Sequence, residues 1–149
     1  MFRMLVALFI LTLPLFSTTP YNLEGIKALN VLIVDENDVL SPAFEVRLKE
    51  RIKKRIDSVG IASYKEDVGA LSVSVHALQI QDEWVIHVCL SVGEEALVTR
   101  NNKKIESYVK TYVYEDMVHT KLPELEVQSV VMEYLLDEFL EQYEEDNEE

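Results

Sequence analysis

Two segments of strict alternation, Leu71 to Ile80 and Trp84 to Val92, constrain the fold of this 149-residue chain more than any other feature. In the first, Leu71, Val73, Val75 and Ala77 alternate with Ser72, Ser74 and His76. In the second, Trp84, Ile86, Val88, Leu90 and Val92 alternate with Val85, His87, Cys89 and Ser91. A period of two sends successive side chains to opposite faces, so each segment reads as a strand with one buried face. The intervening Gln81-Asp82-Glu83 is too short for anything but a tight turn, and the pair reads as an antiparallel hairpin. A two-residue loop at Asp82-Glu83 would set Val75 opposite Leu90 and Ala77 opposite Val88, with both apolar sets on one face.

The remaining elements fall around this hairpin. Ala28 to Val34 is a continuous apolar run that reads as a strand inside the sheet, leaving through a turn at Asp35-Glu36-Asn37-Asp38. That acidic turn lacks the glycine and the distant glutamate of an EF-hand loop. Ser41-Pro42 supplies an N-cap and a first-position proline, Phe44, Leu48, Ile52 and Ile56 repeat every four residues, and Gly60 follows where a left-handed C-terminal residue is wanted. A helix over 42–59 follows from these signals. Further strands are predicted over 61–64, 93–100 and 105–114, the last with Ile105, Val109 and Val113 facing inward. An acidic amphipathic helix closes the domain over 123–143. The expected architecture is α+β: a two-layer sandwich in the order β-α-β-β-β-β-β-α, mostly antiparallel, with two helices on one face of the sheet.

Arg3 followed by the apolar run Met4 to Phe16 and then Ser17-Thr18-Thr19 has the order of a secretory signal. Thirteen residues make a helix of about 20 Å, short of the roughly 30 Å hydrocarbon core, and Pro14 interrupts the run. Residues 1–19 therefore read as a signal peptide, 20–143 as one domain and 144–149 as an acidic tail, in a periplasmic or secreted protein with no membrane span once the signal is removed. Loss of Arg3 leaves 13 basic against 27 acidic side chains, a net charge of −14. Such a charge disfavours nucleic acid as a partner. The single Cys89 has no internal disulfide partner.

The order of features resembles a broad group of uncharacterised exported bacterial α/β proteins. The matching pieces are Gly60-Ile61, the Leu71 to Val75 alternation, Trp84 to Leu90, and Phe139, Tyr143 and Asn147 at four-residue spacing on the closing helix. The resemblance implies an exported α/β domain and brings no catalytic residues or cofactor. The departure is the very acidic end, Glu144 to Glu149.

Catalytic signatures are absent from the sequence: there is no glycine-rich phosphate loop, G-x-S-x-G elbow, H-E-x-x-H or C-x-x-C. The chain therefore reads as non-enzymatic, with no cofactor. On the face away from the helices the expected register sets His76 opposite Cys89 and diagonal to His87, a set that suits zinc or copper but lacks an evident fourth ligand. The same face is expected to carry Leu78, Val85, Tyr108, Tyr112 and Tyr114. Tyrosine-bearing apolar faces favour contact with a protein partner or a second copy, while loops or the Tyr21 to Lys27 segment could instead cover this one. Helix one holds Arg47, Lys49, Arg51, Lys53, Lys54 and Arg55, which could meet an anionic lipid or polymer, or pair with the acidic closing helix.

Overall fold

The computed structural model describes residues 23–63 and 69–148. The expected signal peptide, residues 1–19, lies outside the described residues. The elements are β1 (Asn30–Asp35), α1 (Pro42–Ser58), β2 (Ala70–Ile80), β3 (Glu83–Arg100), β4 (Lys103–Thr120), α2 (Pro123–Val130) and α3 (Leu136–Asn147), with a π-helical turn at Val131–Leu135 joining the last two. The backbone stays helical through both junctions, so α2, the π turn and α3 form one continuous closing helix. One four-stranded sheet runs β1-β2-β3-β4, with β1 parallel to β2 and the other pairs antiparallel. The fold is α+β and the sheet is mixed.

Local chemistry sets the ends of α1. Ser41 Oγ accepts from the backbone N–H of Phe44, and Pro42 occupies the first turn, where its missing donor costs nothing. At the other end Gly60 takes φ +91°, which lets Ile61 N donate to Ile56 O and Gly60 N to Asp57 O. The Asp35 to Asp38 segment is a turn: the Asp35 carboxylate accepts from the backbone N–H groups of Asn37 and Leu40.

The core fills the space between the helices and one sheet face. Phe44, Leu48, Ile52 and Ile56 of α1 are buried against it, as are Leu71, Val73 and Val75 of β2 and Ile86, Val88, Leu90 and Val92 of β3. Val127, Val131, Leu135 and Phe139 complete it from the closing helix. The hairpin residues take the faces expected of them, although Cys89 and Ser91 on the outer face are themselves buried.

Several details differ from the sequence reading. The hairpin turns at Gln81-Asp82, with Gln81 at φ +58°, so Val75 faces Val88 and Val73 faces Leu90. A register change of two residues preserves which face each side chain takes, and the alternation alone cannot detect it. β1 is an edge strand: Val31 is buried whereas Leu32 and Val34 are exposed. The expected strands over 84–92 and 93–100 are one strand, and 105–114 extends at both ends, so the order is β-α-β-β-β-α. Instead of a strand at 61–64, Ala62 makes a single parallel bridge to Ala28, and Tyr64 lies outside the described residues.

Two features bear on the site. Val92 pairs with Tyr112 but Gly93 pairs with Lys110, so Thr111 is an extra residue that bulges β4 and reverses the phase of its alternation. Beyond the bulge, β3 and β4 continue past the end of β2 as a two-stranded arm, closed by Asn101 and Asn102 at φ +50° and +61°.

Candidate functional site

The sheet face opposite the helices is the candidate site, and strand pairing determines what stands together on it. One row across β1 to β4 holds Val34, Ser74, Cys89 and Glu115. The next holds His76, His87 and Met117, and a third holds Leu78, Val85 and His119. Leu78 is 63% exposed and Met117 65%, and Leu32 and Val34 add apolar surface from β1. All three histidines of the chain share this face, each beside a carboxylate: His76 with Glu36 at 3.2 Å, His87 with Glu115 at 3.2 Å and His119 with Glu83 at 2.7 Å.

The expected ligand trio is only partly assembled. His76 lies directly opposite His87, with ring centroids 6.0 Å apart, and Cys89 faces Ser74 instead of His76. Among the described residues, no group of three His, Cys, Asp or Glu side chains is placed to hold a metal ion. Cys89 is buried, and desolvation pushes its thiol pKa up, with Glu115 adding to the rise and Lys110 opposing it. A thiol held protonated is a poor nucleophile and a poor metal ligand.

The tyrosines separate. Tyr112 is buried on the helix side, its ring edge-on to Phe139 with centroids 5.4 Å apart. Tyr114 also faces the helices, its hydroxyl 3.1 Å from that of Tyr134. That hydrogen bond, with desolvation second, pushes Tyr114 up to about 12. Both placements correct the sequence reading, and the Thr111 bulge is the reason: inward positions are odd only if the phase of Ile105 and Val109 continues unbroken to Val113. Tyr108 is exposed on the arm, with its ring against Gly93. Leu78 and Val85 lie on the outer face as expected.

Sequence reasoning missed Leu32 and Val34, because a continuous apolar run reads as an interior strand. It also missed Met117 and His119, although the period of two runs on past Tyr114 and could have placed them.

The described part of the segment expected as a possible cover, Leu23 to Lys27, lies instead beside the end of the closing helix. Leu23 is buried, its N–H donates to Asp146 Oδ2, and Asn147 Nδ2 donates to its carbonyl. Gly25 N donates to Asn147 Oδ1. Asp146 and Asn147 therefore form the last turn of α3 and tie it to the N-terminal segment, while Glu144, Glu145 and Glu148 of the acidic end stay exposed. Phe139, Tyr143 and Asn147 owe their four-residue spacing to a single stripe that packs the core and then grips this N-terminal segment. No protein-family model matches the chain, and no curated protein matches its sequence.

Proposed function

We propose that the mature protein is an exported, non-enzymatic interaction module that docks a protein on its outer sheet face, the simplest occupant being a second copy of itself. The observation that carries this reading is the concentration of exposed apolar side chains, Leu32, Val34, Leu78 and Met117, on a face opposite the helices. Burying such a patch is favourable by roughly 25 cal/mol per Å² before the costs of association are met. Face-to-face packing would also bring the histidine and glutamate pairs into the contact, where their geometry can set register.

Mass measurement in solution tests the reading. The mature chain forms a dimer, and Leu78→Asp with Met117→Asp returns it to a monomer of unchanged circular dichroism. A wild type that stays monomeric at high concentration and crosslinks to nothing in its native compartment overturns the proposal. Export is tested separately: full-length chain expressed in a bacterium yields a processed form, beginning between Thr18 and Pro20, outside the cytoplasm. Unprocessed cytoplasmic protein would remove that half of the reading.

A further inference from the structure

The helix layer carries a second surface of different chemistry. α1 and the closing helix both cover the sheet but leave a furrow between them. At one end it is lined by Phe44 and Arg47 from α1 and by Leu122, Leu125 and Gln128 from the other wall. One helical turn further on, Arg51, Lys54 and Arg55 face Met132, Glu133 and Asp137. The furrow is bridged at its two ends, by Ser41 with Glu124 and by Arg55 with Asp137.

Between those bridges the furrow is apolar at the Leu122 end, while further on the cations of α1 outnumber Glu133 and Asp137 on the opposite wall. Leu122 and Leu125 are more than three-fifths exposed, an unusual state for two leucines so close together. Arg47, Arg51, Lys54 and Arg55 follow a helical spacing that puts them along one side of α1. Their pairing with the acidic closing helix is realised at Arg55 alone, and among the described residues Arg51 and Lys54 make no ion pair. A cationic stripe left open in a chain of net charge −13 is a specific complement for acidic groups.

We propose that this furrow receives an amphipathic helix of a protein partner, with leucine-like side chains on Leu122 and Leu125 and acidic side chains against Arg47, Arg51 and Lys54. Leu122 to Asp137 spans about 22 Å along the helix axis, enough to seat roughly fifteen residues of a third helix. An anionic lipid surface fits less well. Glu133 and Asp137 share the basic half of the furrow and would oppose a layer of phosphates, whereas a helix presents acids along one flank only.

Two synthetic helices of about sixteen residues, with the same leucine stripe and either Glu or Lys on the flanks, test the proposal by fluorescence anisotropy against the mature chain. The Glu helix binds at least about tenfold more tightly than the Lys helix, and added salt weakens it. Arg51→Glu with Lys54→Glu reverses the preference. Leu122→Ser with Leu125→Ser weakens both peptides, and Leu78→Asp with Met117→Asp changes neither, which separates this furrow from the sheet face. Absence of Glu-helix binding, equal binding of the two helices, or indifference to the charge reversal overturns the proposal. So does binding to phosphatidylglycerol vesicles, lost on the charge reversal, in the absence of peptide binding.

Discussion

The hydroxyl of Tyr143 donates a hydrogen bond to the backbone carbonyl of Ile26, 117 positions earlier in the chain. Asn147, one turn further along α3, holds Leu23 and Gly25 from the same side, so the last described helical turn fixes the first described segment. Tyr143→Phe is expected to cost about 1 kcal/mol, the ordinary net value of a partly buried hydrogen bond. Truncation after Tyr143 removes the Asp146 and Asn147 contacts together and is expected to cost about 2 to 3 kcal/mol, because Leu23 also loses its tether. Urea denaturation of both variants measures this, and an unchanged midpoint for the truncation would show that 144–149 is dispensable.

Tyr112 and Tyr108 stand four positions apart on β4 and take opposite environments across the Thr111 bulge. Tyr112→Ala empties a buried site against Phe139 and is expected to lower stability by about 3 to 5 kcal/mol. Tyr108→Ala is expected to stay within about 1 kcal/mol. Thermal unfolding of the two variants checks the order, which reverses if Tyr112 faces outward.

Gly93 lies beneath the Tyr108 ring, where a Cβ would overlap the ring atoms. An aromatic ring laid over a strand glycine shields backbone that has no side chain of its own. Gly93→Ala is therefore expected to cost about 1 to 2 kcal/mol in the wild type and markedly less in a Tyr108→Ala background. A double-mutant cycle reads the coupling directly, and additive effects would dissolve the contact.

What the sequence made legible follows from period. The alternations of β2 and β3 and the four-residue repeat of α1 fixed which side chains enter the core, because burial acts on faces. Partner identity was not legible: a turn at Gln81-Asp82 and one at Asp82-Glu83 give the same faces and different neighbours. The bulge was illegible for a related reason, since Thr111 is an ordinary strand residue whose extra position shows only when Val92 and Gly93 are seen to skip it. The outward placement expected for Tyr112 and Tyr114 was lost to that one inserted residue, whereas Leu78 and Val85, on strands that do not contain it, kept their predicted face. The grip of Asn147 on Leu23 spans the whole domain and leaves no local signal beyond the four-residue spacing that carries it.

Burial of Cys89 raises its thiol pKa above the ordinary 9.0. At pH 8 the folded protein is then expected to react with iodoacetamide far more slowly than the chain in urea, since the thiolate is the reactive form. The sign for stability follows: this contribution is present below the unfolded-state pKa and is lost as pH rises through the folded one. Equal alkylation rates in the folded and unfolded chain would place Cys89 in solvent.

Glu124 joins the starts of the two helices, its Oε1 accepting from both the backbone N–H of Ser41 at 2.9 Å and the Ser41 hydroxyl at 2.6 Å. These bonds hold its carboxyl below the ordinary 4.5, the Ser41 side chain contributing most, with Arg47 adding a smaller pull. Its position in the first turn of α2 acts in the same direction, because the helix N-terminus favours negative charge. A depressed folded pKa means the stabilisation is complete above the unfolded value and is lost as pH falls through the folded one. Wild type is therefore expected to lose thermal stability more steeply than Glu124→Gln as pH drops from 4.5. Ser41→Ala should flatten the same limb while also removing the α1 cap, at a cost of about 1 kcal/mol at neutral pH. Parallel pH profiles for wild type and Glu124→Gln would mean that the carboxylate bridges nothing that folding depends on, and the two helix starts would then be held by packing alone.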